Sequence, residues 1–140
     1  MNVLVDANIL IAVLNKEYPS FPHAARILSL NGGNRFNIFT TPISLAIAFY
    51  FSEKKSGRKS AMKKMQLMSE NLLIAGNQPE DVKKVFQNSK INDFEDSLQY
   101  HAAITNRCQC LVTENVRDFY FSEITVMRPE DFLLTYAVGR

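Results

Sequence analysis

The chain opens Val3-Leu4-Val5-Asp6-Ala7-Asn8-Ile9-Leu10, and no other stretch constrains the fold as strongly. Three aliphatic residues in a row read as a short buried strand, and the apolar residues after Asp6 take up helical spacing at once. A buried strand that runs straight into a helix belongs to an α/β sheet covered on both faces. Such a strand delivers Asp6 to its C-terminal end, where ligands and catalysis sit in open α/β sheets. A carboxylate there costs several kcal/mol, roughly, unless something binds it.

The rest of the chain repeats the alternation. After the strand 2–5, a helix is expected over 7–15 and a second from Pro22 to about Leu30, ended by Asn31-Gly32-Gly33. A strand at Phe36-Asn37-Ile38-Phe39 leads to a helix from Pro42 to about Ser56. That helix is apolar almost all round (Ile43, Leu45, Ile47, Phe49, Tyr50, Phe51), which predicts burial. A basic helix over 58–70 and a strand over 72–75 follow. Pro79-Glu80-Asp81 starts a helix that ends near Asn88. A helix over 93–106, strands at 110–112 and 124–126, and a closing helix from Pro129 complete the pattern. The expected fold is a three-layer α/β/α sandwich with a central, mostly parallel sheet, and residues 1–140 are read as one domain.

Composition narrows the function. With 140 residues, 46% of them hydrophobic, the chain can bury about two thirds of its unfolded surface. The net charge of +2 permits an anionic partner without requiring one. No apolar run reaches the ~18 residues of a membrane span, and no signal-peptide pattern opens the sequence, so a cytoplasmic protein without a membrane partner is expected. Cys108 and Cys110 then read as reduced, small apolar residues on a buried strand; as a zinc pair they lack two further ligands nearby. Only two histidines are present, His23 and His101, neither near a candidate nucleophile, and there is no Walker A or G-x-G-x-x-G motif.

Two later segments supply acids to join Asp6. Asp93-Phe94-Glu95-Asp96 places three carboxylates at a helix start, with Phe94, Leu98 and Ala102 as the expected core face. Asp96 lies about 200° from Phe94 on that helix, beside Asp93, Ser97 and Tyr100. Asn115 and Asp118 follow the 110–112 strand as Asp6 follows the first, so neighbouring strands would bring all three segments to one sheet edge. Clustered carboxylates repel unless a cation neutralises them, and hard oxygen ligands suit Mg²⁺ or Mn²⁺. The plainer roles are a helix cap for Asp93 and Glu95, and turn residues for Asn115 and Asp118.

Residues 54–64 carry Lys54, Lys55, Arg58, Lys59, Lys63 and Lys64 without an acid. Lys55, Lys59 and Lys63 would share a helix face and offer a track for RNA phosphates; a solvated surface is the other reading. Phe49, Tyr50 and Phe51 read as core, as a homodimer seam or as a stacking platform for bases.

These residues resemble the PIN-domain nucleases, which include VapC-like toxins of toxin–antitoxin pairs. Val3-Leu4-Val5-Asp6-Ala7-Asn8 looks like the family's opening strand and first acid. Asp93 to Tyr100 resembles the acidic helix start of one subgroup, with Asp96 as the third acid, and Leu111 to Phe119 is similar to the closing segment. The resemblance implies Mg²⁺- or Mn²⁺-dependent cleavage of RNA, with metal ligands at Asp6, Asp96 and either Asn115 or Asp118. Asn8 and Thr113 would support the site by hydrogen bonds. It also implies a possible antitoxin partner. One position departs from the pattern: the acid usual on the helix after the second strand is here Ile47, which cannot ligate a metal. Asp93 or Glu95 stands close enough to Asp96 to compensate. A ribonuclease and a PIN-fold module that only binds RNA or a protein therefore both remain open. A haloacid-dehalogenase-like phosphatase, suggested by the strand-then-Asp opening and the later Asn92-Asp93, would need a second Asp where Asn8 stands.

Overall fold

The computed structural model describes residues 1–90 and 93–137, so Asn92 lies outside the described residues. Five strands form one sheet: β1 (Asn2–Val5), β2 (Asn37–Thr40), β3 (Leu73–Ile74), β4 (Cys110–Val112) and β5 (Thr125–Met127). Their spatial order is β3-β2-β1-β4-β5, and all four pairings are parallel. The sheet is thus wholly parallel, as short aliphatic strands separated by helices predict.

Around the sheet lie α1 (Ala7–Leu14), α2 (Phe21–Ser29), α3 (Pro42–Ser56), α4 (Arg58–Glu70), α5 (Pro79–Gln87), α6 (Phe94–Thr105) and α7 (Pro129–Phe132). The period-two alternation of the strands builds the layers. Val3, Val5, Cys110 and Val112 point into a core with Ile9 and Leu10 of α1, Ile27 of α2 and Phe132 of α7. Leu4 and Leu111 point the other way, against Ala102 and Ala103 of α6 and Phe119. The three-layer α/β/α expectation holds. Cys108 and Cys110 are buried free thiols, and burial pushes each up to about 12, so they behave as small apolar residues.

Three local expectations need correction. First, α3 is not buried all round: only Ser44, Ala48 and Ser52 are, four residues apart on one stripe. Small side chains let this stripe approach α1 and α4 closely, Leu45 packs partly buried against the core, and Tyr50 and Phe51 remain exposed. Second, Phe94 is exposed and meets Phe86 of α5 at 5.8 Å, while Ser97, Gln99 and Tyr100 are buried. The cause is that α6 is packed against α3 and α5 as well as the sheet, which encloses much of its polar side. Third, β5 begins one residue late because Ser122 Oγ accepts the Ile124 N–H at 3.1 Å, closing a turn there.

The basic stretch is divided by Gly57, whose φ of +83° suits glycine and separates α3 from α4. Lys55 therefore does not share a helix face with Lys59 and Lys63. Its ammonium donates instead to the Asn15 carbonyl, and Lys64 reaches Leu14 O at 3.5 Å, two cations at the negative end of α1. Lys59 and Lys63 are exposed. Among the described residues, no helix is long and apolar enough to cross a membrane.

Candidate active site

In the order β3-β2-β1-β4-β5, the connections run one way from β1 through β2 to β3 and the other way through β4 to β5. The edge between β1 and β4 is therefore where the topology switches, the place where α/β sheets open a crevice. Val5 is in register with Val112, so the next residues along each strand, Asp6 and Thr113, emerge side by side. The Asp6 N–H continues the ladder by donating to Val112 O at 3.0 Å.

Asp6 caps α1, its Oδ1 accepting the Ala7 N–H at 2.7 Å. Its Oδ2 accepts the Thr113 hydroxyl at 2.8 Å and the Asn8 amide at 3.3 Å. Asn8 Nδ2 also donates to Thr113 Oγ1 at 3.1 Å, and Asn8 Oδ1 accepts the Glu114 N–H at 3.2 Å. Thr113 Oγ1 further accepts the Asn115 N–H at 3.0 Å. Asp6 and Thr113 are buried, at 6% and 0% exposure. Every hydrogen bond to the Asp6 carboxylate named here comes from a neutral donor. Burial raises the Asp6 pKa, the bonds from Thr113 and Ala7 and the nearby Gln99 amide oppose that rise, and the charge of Asp118 adds to it.

The other acids gather around this centre. Asp93 caps α6, its Oδ1 accepting the Asp96 N–H at 2.8 Å. Asp96, half-buried in the first turn, is raised to about 7, first by burial and then by the charges of Asp93, Asp6, Asp118 and Glu95. Glu95 is raised by burial, then by Asp6 and Asp93. Among the described residues, no lysine or arginine acts on Asp6, Glu95 or Asp96. Asp118 lies in the single turn Val116–Phe119 and is exposed, as is Asn115 before it.

The structure thus brings Glu95, Asp96 and Asp118 within electrostatic reach of Asp6, with Asn8 and Thr113 bonded to it. Among the described residues, no three Asp, Glu, His or Cys side chains converge tightly enough to cage a metal ion. Lys55, Lys59 and Lys63 take no part in the hydrogen bonds or charges described for these acids. Ile47 is half-buried on α3.

Two residues escaped the sequence reading. Gln99 of α6 is fully buried and its Oε1 accepts the hydroxyl of Ser44, also fully buried, at 2.8 Å. Gln99 stands three residues after Asp96, hence on the same side of the helix, which was the one available signal.

The sequence matches the PIN domain family over residues 2–117. No curated protein matches it significantly. Among solved structures, VapBC-1 from nontypeable Haemophilus influenzae is similar at 17% identity and a TM-score of 0.71, over 93% of this chain and 99% of that one. VapBC2 from Rickettsia felis, solved bound to a DNA fragment from its promoter, gives 21% identity and a TM-score of 0.67 over 91% and 98%. VapC20 from Mycobacterium tuberculosis, a Sarcin-Ricin loop cleaving toxin, gives 11% and 0.62 over 78% and 86%. At these identities the likeness is one of fold. The match over residues 2–117 identifies the family itself: the chain belongs to the PIN domain family.

Proposed function

We propose that this protein is a divalent-cation-dependent ribonuclease, and the toxin of a toxin–antitoxin pair. The observation that carries this reading is the environment of Asp6. It is a buried carboxylate at the sheet's switch point, bonded by neutral donors and faced by acids on which, among the described residues, no basic side chain acts. A protein holds such a cluster for a cation rather than for stability. The donor set, carboxylate and amide oxygen without histidine or thiolate, fits a hard ion.

Asp6 and Asp96 are the proposed principal ligands, with Asp118 or Asn115 completing the site. Glu95, which feels the charge of Asp6, takes the part of the acid absent at Ile47, while Asp93 supports the helix start. When bound, the ion supplies an activated water and stabilises charge on the phosphodiester being cleaved. Thr113 and Asn8 hold the Asp6 carboxylate in one orientation, and burial of β1 and β4 beneath it keeps that orientation fixed. Lys59 and Lys63, exposed on α4, would meet the RNA backbone at a distance from the acids. The proposed partners are RNA, a cognate antitoxin of the kind found in the VapBC complexes, and a second copy meeting at Tyr50 and Phe51. The proposed setting is the cytoplasm.

A second reading, a PIN-fold module that binds without cleaving, is favoured by Ile47. Calorimetric titration of Mn²⁺ separates the two. Saturable uptake by the wild type, lost in Asp6→Asn, supports the enzyme; no uptake at millimolar Mn²⁺ leaves the binding module.

A further inference from the structure

Gln99 has no role in the cluster as the family pattern describes it, yet it is fully buried. Its amide is pinned at one end. Ser44 Oγ donates to Gln99 Oε1 at 2.8 Å, and Ser44 is itself fixed by the α3 cap, where Thr41 Oγ1 accepts the Ser44 N–H at 3.0 Å. With the amide oxygen committed to Ser44, the NH₂ group must face away from it. Gln99 Nε2 has no partner at hydrogen-bond distance among the described residues. The nearby acidic group is the Asp6 carboxylate, whose proton affinity Gln99 lowers. An amide turned the other way could still bond Ser44, whose hydroxyl also accepts, but it would set its oxygen towards that carboxylate, oxygen against oxygen, so Asp6 decides the orientation. Sequence and topology converge here: α3 supplies the anchor, α6 the amide and β1 the acid.

We propose that Gln99 is a positioning residue for Asp6, aimed by Ser44. The inference deepens the proposed function and rests on Asp6 as the anchor of that site. On the α3 side, where the family pattern has an acid and this chain has Ile47, Ser44 reaches the site through a neutral donor instead. A neutral amide orients Asp6 without adding a further negative charge to a cluster that already holds several. Its NH₂ carries two N–H donors, neither of them bonded among the described residues. Partners that orient a metal-binding group typically change metal affinity by about 10–100-fold when removed.

The test has one arm that needs no metal. In ¹H–¹⁵N spectra of the metal-free protein, the Gln99 side-chain amide pair is assigned by its loss in Gln99→Leu. Asp6→Asn and Ser44→Ala should each move that pair towards the position of a free glutamine. In the second arm, Gln99→Leu should bind Mn²⁺ about 10-fold more weakly than the wild type, with kcat for RNA cleavage lowered and KM little changed. Ser44→Ala should shift both quantities the same way, and the double variant should add little to Gln99→Leu, as members of one network do. A Gln99 pair that stays put in Asp6→Asn overturns the proposal, as does unchanged Mn²⁺ affinity in folded Gln99→Leu. If the wild type takes up no Mn²⁺, the ribonuclease reading fails by itself, and the spectra still decide whether Gln99 positions Asp6.

Discussion

The hydroxyl of Thr113 donates to Oδ2 of Asp6 at 2.8 Å, joining residues 107 positions apart in the chain. The bond exists because β1 and β4 are parallel neighbours in register at Val5 and Val112. It is buried, so its loss leaves a carboxylate short of a donor that water cannot replace. Thr113→Val keeps the shape and removes the hydroxyl. Urea denaturation at pH 8, where Asp6 is most ionised, should show a loss of about 1–3 kcal/mol. At a lower pH the loss should be smaller, because burial raises the Asp6 pKa and the protonated acid needs the donor less. An equal loss at both pH values would mean that the bond does not serve the ionised acid.

The acid cluster sets a pH dependence whose sign follows from Asp96. Unfolded, this residue releases its proton near 3.8; folded, it holds the proton up to about 7, through burial and then the neighbouring acids. Between those values the native state binds more protons than the unfolded chain, so stability falls as pH rises. The metal-free protein should therefore melt at a higher temperature at pH 5 than at pH 8. Asp96→Asn should flatten that slope and melt higher than the wild type at pH 8. A wild-type melting temperature that climbs from pH 5 to pH 8 would contradict the cluster.

Glu95 and Asp93 are neighbours with different work. Asp93 spends its Oδ1 on the Asp96 N–H as the α6 cap, whereas Glu95 faces the charge of Asp6. Asp93→Ala should lower stability by about 0.5–2 kcal/mol, as lost caps do. Asp93→Asn, which still caps, should leave Mn²⁺ binding close to wild type. Glu95→Gln should weaken Mn²⁺ binding several-fold in calorimetry without lowering the melting temperature. The reverse assignment would follow if Asp93→Asn were the more damaging to binding.

The lysines divide in the same way. Lys59 and Lys63 are exposed on α4, while Lys55 is bonded to the Asn15 carbonyl at the end of α1. Lys59→Glu with Lys63→Glu should weaken RNA binding and reduce its salt dependence, by about one unit of slope for each phosphate that is no longer neutralised. Lys55→Met should act mainly on stability. RNA affinity unchanged in the double variant would place the phosphate track elsewhere.

Much of this was legible from short segments. Asp6 could be placed from eight residues, because three aliphatics before an acid at a helix start leave few alternatives in an α/β chain. The meeting of Asp6 with Thr113 required one further assumption, that their strands pair, and the observed register supplies it. Helix faces were harder. In α3 the bulky residues suggested burial, yet close packing selects the small stripe Ser44, Ala48 and Ser52 and leaves Tyr50 and Phe51 outside. In α6 the side away from the expected Phe94 face is enclosed by α3 and α5, which hid Gln99. Lys55, Lys59 and Lys63 have helical spacing in sequence, but the backbone turn at Gly57 breaks it. Propensity and periodicity act within a segment; these outcomes were decided by what packs against it.

The most direct measurement is cleavage of a structured RNA by purified, folded wild-type protein and by Asp6→Asn, each with Mn²⁺, with Mg²⁺ and with a chelator. The expected result is cleavage by the wild type with at least one of the two ions, none with the chelator, and none by Asp6→Asn under any condition. Wild-type protein that leaves the RNA intact with both ions, or Asp6→Asn that cuts as fast as the wild type, would contradict a cation-dependent site anchored on Asp6.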